Sequence, residues 1–377
     1  MAHSYYLGRS GTGKSTLLIH HTIEAINANE GVFFVDPNGD AIDTILGYIP
    51  PHRRNETILF DPTGHLVPYN PLDTTNDHNQ VSDALLYAFR DIWLFGDAST
   101  PTFDEYVLHT ILSLLQFPQP SLVMVPLLLQ SERFRDRVLE KIDEPHLNLF
   151  WQNFEKMTNK EKRDEIRSTK NKMNAIVSDL RLRRVLGSKT AFSMDQVLDN
   201  KILLLRLPQG KLGINKTRLL GMLMISQLHL AMCNRNTDNP FHIFVDEAHH
   251  FQGFSLMELL SGSRKFGIDL HVSHQYLKQL TTPMRDALLG NTDNKYIFRI
   301  SRADSELVDE IDGPNQINSA YYDLPRYTWR DGKTQKQTEP LPDPPYNPEK
   351  TIEASRRKFS RSIKLIDAEL DPILKMA

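Results

Sequence analysis

Gly8-Arg9-Ser10-Gly11-Thr12-Gly13-Lys14-Ser15-Thr16 fits the pattern G-x-x-x-x-G-K-[ST] at every fixed position. These residue types suit the binding of phosphates. The glycines let successive backbone N–H groups curl round an anion, and a helix starting near Lys14 would turn its positive end toward it. Lysine in this pattern reaches the β- and γ-phosphates, and the hydroxyl that follows, here Ser15, faces Mg²⁺. A second group is Asp246-Glu247, which closes the apolar run Phe241-His242-Ile243-Phe244-Val245. A buried strand ending in two acids delivers the first, Asp246, to the metal and leaves the second, Glu247, to orient and activate an attacking water. A third is Gln275, which follows the run Leu270-His271-Val272-Ser273-His274 and is placed to sense the γ-phosphate or hold the water; a plain turn glutamine is the alternative. Arg264, between those two runs, reads on its own as a surface arginine.

These groups need a sheet to bring them together, and the sequence predicts one. Ser4-Tyr5-Tyr6-Leu7 enters the glycine-rich loop as a strand, and Leu17-Leu18-Ile19 leaves it as a helix. That context favours a phosphate loop over a chance Gly/Ser turn. Gly31 to Asp36 is the second expected strand and Thr57 to Asp61 the third, before Pro68-Tyr69-Asn70-Pro71-Leu72 breaks the pattern. From about Gln80 to Asp195 apolar residues recur at helical spacing, as in Val81, Ala84, Leu85, Ala88 and Phe89, with prolines between the helices. The later part, Glu155 to Lys189, is rich in Lys and Arg and offers a surface for nucleic-acid phosphates; the acids interspersed there equally fit a solvated helix face. The sheet resumes at Lys201 to Leu207, and Thr217 to Met232 is a Leu- and Met-rich core helix. Tyr296 to Ile300 is expected as the last core strand, Ala303 to Ile311 as a helix, Pro340 to Pro345 as extended chain, and Glu349 to Lys375 as a terminal helix bearing Arg356, Arg357, Lys358, Arg361 and Lys364. The expected organisation is a core over 1–75, an all-helical insertion over 76–195, the rest of the core over 196–312, and an extended Pro-rich tail with a terminal helix over 313–377.

Composition narrows the class. The 377 residues are enough for a large core, and 40% hydrophobic with 24% charged residues predicts a soluble globular chain. A formal net charge of -3 provides no global pull on nucleic acid, so any DNA contact must use a local basic surface. Cys233 is the only cysteine, which excludes an internal disulfide and fits a reducing cytoplasm. No run approaches the roughly 18 apolar residues of a membrane span.

Taken in order, these blocks resemble the HerA/FtsK superfamily of ring-forming ATPases, and among them the conjugative coupling-protein (TraD/TraG-like) branch of type IV secretion and its HerA-like relatives. The resemblance rests on Gly8 to Ser15, Val35-Asp36-Pro37-Asn38-Gly39-Asp40, Tyr69-Asn70-Pro71-Leu72, Leu205-Arg206-Leu207-Pro208-Gln209-Gly210, Phe244-Val245-Asp246-Glu247-Ala248-His249, Arg264-Lys265-Phe266-Gly267 and His274-Gln275. It covers roughly residues 1–75 and 195–310. It implies an α/β fold with a RecA-like P-loop core, a mainly parallel sheet and an all-helical insertion. It also implies ATP and Mg²⁺ as ligands, with Lys14 and Ser15 on phosphates and metal, Asp246 on the metal, Glu247 as catalytic carboxylate, Gln275 as sensor, and Arg264 as an arginine finger acting across a subunit boundary. DNA, a homo-oligomer of hexameric kind, and secretion or relaxase partners are the implied company, with a cytoplasmic chain recruited to the membrane by a partner. Coupling proteins usually carry an N-terminal membrane anchor and HerA proteins a small β-barrel; neither precedes Gly8 in this sequence.

Other readings share some of the same residues. Asp246-Glu247-Ala248-His249 spells the DEAH of superfamily 2 helicases, which would require a second RecA-like lobe after Ile311. His242, His249, His250, His271 and His274 raise metal binding, without a cysteine or an H-E-x-x-H to support it. A viral-type packaging ATPase belongs to the same superfamily, though usually without so large a helical insertion. A nucleotide switch that assembles a secretion complex without hydrolysis would not need Glu247.

Overall fold

The computed structural model describes residues 2–93, 100–312, 321–331 and 334–375. Short apolar runs that stop at an acid, glycine or proline form the strands, and the helices lie between them. The chain opens with β1 (Ser4–Leu7), α1 (Lys14–Asn27), β2 (Gly31–Asp36), α2 (Asp40–Ile45) and β3 (Thr57–Phe60). Seven helices follow: α3 (His78–Ile92), α4 (Pro101–Leu115), α5 (Val125–Gln130), α6 (Glu132–Leu139), α7 (Pro145–Lys156), α8 (Asn159–Ser178) and α9 (Leu180–Gly187). Next come α10 (Met194–Leu198), β4 (Ile202–Arg206), α11 (Gln209–Leu212), α12 (Ile214–Cys233), β5 (Phe241–Val245), α13 (Phe254–Gly262), β6 (Ile268–His274) and α14 (Thr282–Asn291). The chain ends through β7 (Asn294–Ile297), α15 (Arg302–Asp312), β8 (Thr328–Asp331), β9 (Thr334–Gln337), α16 (Pro348–Phe359) and α17 (Ile363–Leu374).

Two compact units result. The first comprises Met1–Thr63 with Met194–Lys358, and the second Gly64–Ser193 with Phe359–Ala377. The first unit holds one sheet of order β3-β4-β2-β5-β6-β1-β7-β8-β9. The strands from β3 through β7 pair in parallel, whereas β8 joins β7 and β9 joins β8 antiparallel. Every residue of β1 and β2 is buried, as strands covered on both faces must be. Tyr6, Phe34, Ile202, Leu204 and Phe244 on the strands pack with Leu18 and Ile26 of α1 and Ile42 and Ile45 of α2 in one apolar cluster. The mainly parallel α/β architecture agrees with the expectation.

Three details depart from it. The run Tyr296 to Ile300, expected as the last strand, is strand only as far as Ile297, and β8 and β9 extend the sheet beyond it. Their pairing is antiparallel and Thr334–Gln337 is exposed, so β9 lacks the apolar signal of a core strand. The stretch from Glu349 to Lys375 is two helices, because Ser362 caps a new one by accepting a hydrogen bond from Leu365 N. Residues 313–320, where the expected Pro-rich tail begins, lie outside the described residues.

The second unit packs its helices around Trp151, Phe134, Phe154 and Phe89, all essentially without exposure. Trp151 Nε1 donates to Ser113 Oγ at 2.8 Å, so the one polar atom of that buried indole is satisfied. Prolines sit in the first turns of α4, α5 and α7, where a missing N–H costs nothing. Thr158 and Glu161 form a capping box at the start of α8. In α17, Asp367 takes both arms of the Arg184 guanidinium at 2.7 and 2.8 Å, joining this last helix to α9.

Candidate active site

The site lies at the C-terminal ends of β1, β5 and β6, where ligands settle in open parallel sheets. The loop from Gly8 to Gly13 leaves β1, and α1 starts at Lys14. Gly11 and Gly13 have φ of 73° and 107°, a region glycine enters without penalty. Several hydrogen bonds tie the loop down, among them Gly8 N to His274 O, Arg9 N to Arg299 O at 3.0 Å, and Thr12 Oγ1 to Arg9 O at 2.7 Å. Thr12 and Lys14 are buried, Ser15 and Thr16 half-buried, and Arg9, Ser10 and Gly11 exposed.

The side chain of Lys14 ends 3.8 Å from Glu247 Oε1. The same oxygen accepts a hydrogen bond from Gln275 Nε2 at 2.9 Å. Thus the lysine of the loop, the second acid after β5 and the glutamine after β6 converge on one carboxylate. Its other oxygen, Oε2, is buried without a hydrogen-bond partner. His249 Nδ1 stands 3.4 Å from it but off the line a hydrogen bond requires. Burial holds the His249 pKa down to about 4, so this neutral ring is no counter-ion near neutral pH. Burial also raises the Glu247 pKa, Lys14 pulls it back, and the Asp246 charge adds to the rise; the net direction is upward. A carboxylate made more basic, with one free oxygen, is chemically suited to accept a proton from water. Glu247 itself has φ 47°, the left-handed region that non-glycine residues rarely occupy.

Asp246 has its own set of contacts. Its Oδ1 accepts hydrogen bonds from Ser273 Oγ and, at 3.0 Å, from Glu247 N. Asp36, at the end of β2, accepts from Asn38 N at 2.7 Å and Ala41 N at 2.9 Å, closing the first turn of α2. Burial, and then the charge of Asp246, raise its pKa to about 6 against those donors. Gln275 is held from behind: Gln279 Oε1 accepts from the backbone N–H of both Gln275 and Tyr276. His274 fills the space below, hydrogen-bonded to Tyr5 OH at 2.5 Å, and burial pushes its pKa down to about 3.

Arg264 is not brought into this group. It ion-pairs with Asp293 at 2.8 Å and donates to Asn291 O, and 42% of its side chain is exposed, enough to reach outward. The sequence reading missed two residues. Ser273 left a signal, a hydroxyl at the end of an otherwise apolar strand beside β5. Tyr327 left none, yet its N–H donates to Thr12 O at 2.7 Å.

No protein-family model matches the chain. No curated protein sequence matches it either. Solved structures do. The bacterial conjugative coupling protein TrwB in its unbound form superposes with a TM-score of 0.62 at 14% identity, over 89% of this chain and 85% of that one. TrwB in complex with ADP and Mg²⁺ gives the same values. VirB4 of Thermoanaerobacter pseudethanolicus gives a TM-score of 0.59 at 13% identity, over 91% and 90%. The likeness is one of fold. Coupling proteins, to which the ordered blocks pointed, are among the structures it falls on.

The donors present suit a magnesium nucleotide. A glycine-lined loop with positive-φ turns, a buried ammonium, two hydroxyls at the start of α1, a buried aspartate and an orphaned carboxylate oxygen make up the set that such a ligand requires.

Proposed function

We propose that the chain is a coupling-type ATPase that hydrolyses ATP to move DNA, in conjugative transfer or type IV secretion. One observation carries this reading: Lys14 and Gln275 meet on Glu247 Oε1 while Oε2 stays free. A switch without hydrolysis has no need of a buried, strained carboxylate of raised pKa beside its phosphate loop. Ser15 and Asp246 would hold Mg²⁺, which when bound neutralises phosphate charge. Lys14 binds the phosphates, Glu247 takes the proton of the water, and Gln275 orients both the carboxylate and the water. Arg264 acts as the finger on a neighbouring subunit's nucleotide in a hexameric ring.

The fold likeness to coupling proteins supports DNA and secretion or relaxase partners as company, with recruitment to the membrane through a partner. No helix among the described residues is long and apolar enough to cross a membrane. On α8, Lys160, Arg163 and Arg167 are exposed at three- and four-residue spacing, which aligns them on one face for DNA phosphates.

The test is ATP turnover with and without DNA. Glu247→Gln keeps the shape and loses the base, so turnover is expected to fall about 100-fold or more while nucleotide binding persists. Turnover equal to wild type in that variant would sink the reading. A wild-type chain that binds nucleotide without hydrolysing it in the presence of DNA would favour the switch.

A further inference from the structure

Where β8 begins, the backbone makes an unusual detour onto the phosphate loop. Tyr327 has φ 62°, left-handed and uncommon for an aromatic residue. Two hydrogen bonds hold it there: its N–H donates to Thr12 O at 2.7 Å, and its carbonyl accepts from Thr338 N at 2.7 Å. Its ring lies against Gly13, where a Cβ would meet Tyr327 Cδ1 at 2.7 Å and Cα at 2.9 Å. A residue that only sealed the loop would be buried, yet Tyr327 is 44% exposed. An aromatic side chain is thus pinned to the loop and left nearly half exposed.

The strand order says which end of a nucleotide would reach it. Glu247 and Gln275 follow β5 and β6, on one side of β1, whereas β7 and β8 lie on the other. The γ-phosphate end belongs with Lys14 and Glu247, so the nucleoside end leaves the loop toward β7 and β8. We propose that Tyr327 is the platform on which the base of a bound purine nucleoside triphosphate stacks. This rests on the nucleotide-binding reading above and adds to it the residue that recognises the base. Stacking on an aromatic face tolerates any purine, so adenine and guanine nucleotides are both accepted.

The experiment compares ATP with inorganic tripolyphosphate, which lacks the base and ribose, by calorimetry on the full chain. In Tyr327→Ala, affinity for ATP is expected to fall about tenfold with tripolyphosphate unchanged. Tyr327→Phe, which keeps the ring, restores ATP affinity. Unchanged ATP affinity in Tyr327→Ala overturns the proposal. So does an equal loss for both ligands, which would mean that Tyr327 only shapes the loop, and so does a Phe variant as weak as the Ala variant. A wild-type chain that binds neither ligand fails earlier, at the phosphate loop itself, and removes the platform with it. Retained tripolyphosphate binding also reports that each variant is folded.

Discussion

Burial sets the charge state of the residues around the loop, and the direction of each effect can be followed into solution. His3 and His21 are held down to about 4 and His271 well below its ordinary value, all by burial first. Their folded pKa values lie below the unfolded one near ~6.5, so the unfolded chain takes up protons first as the pH falls. Stability from these neutral rings is whole above that value and is lost as the pH drops toward the folded values. Asp36, Glu247 and Asp269 pull the other way, since a raised carboxyl favours the fold at low pH. The histidines outnumber them, with His229, His249, His250 and His274 lowered as well. The urea midpoint is therefore expected to fall between pH 7 and pH 5. His271→Phe makes the drop smaller, because the phenyl ring takes up no proton in the unfolded chain. The ring already stacks on Phe244 at 4.3 Å, and without it Tyr6 OH keeps His21 at 2.5 Å while His242 keeps Glu30 at 2.7 Å. A drop of the same size in the variant would show that His271 does not contribute.

Close approach between elements explains what periodicity alone does not. Helix α12 is buried along nearly its whole length, and at Gly221 an added Cβ would lie 2.2 Å from Phe251 Cε1, itself 1% exposed. Alanine is the better helix former by ~1 kcal/mol, but overlap with a fixed ring costs about 1–3 kcal/mol and more at this distance. Gly221→Ala is expected to lower the denaturation midpoint, and an unchanged midpoint would mean that Phe251 turns aside freely. Strands β1 through β6 were readable because each is a short apolar run bounded by turn residues. The hairpin of β8 and β9 was not, since an exposed edge strand such as Thr334–Gln337 carries no apolar signal.

At the scale of the proposed ring, Arg264 either works within its own chain or across a boundary. Its partner Asp293 is half exposed, and a pair so open to water is worth no more than about 1 kcal/mol, so release toward a neighbour's phosphate costs little. An arginine finger acting in trans predicts complementation. Arg264→Ala and Lys14→Ala should each lack turnover, the former by about 1000-fold. Mixed together, they should regain activity, because some boundaries then pair an intact loop with an intact finger. No recovery on mixing, or a stable monomer with ATP and DNA present, would place the arginine in its own chain.

By itself the sequence determined the glycine-rich loop between β1 and α1, the acids after β5, the parallel α/β core and the helical stretch after β3. These follow from local chemistry: glycine spacing, acids at strand ends, and apolar periods of two or 3.6 residues. Tertiary structure alone decided that Lys14, Glu247 and Gln275 share one oxygen, that Ser273 holds Asp246, and that Tyr327 lies on Gly13. It also decided that Arg264 rests on Asp293. Those contacts join residues far apart along the chain, and strand order and packing select them, so neighbouring residues in the sequence carry no record of the choice.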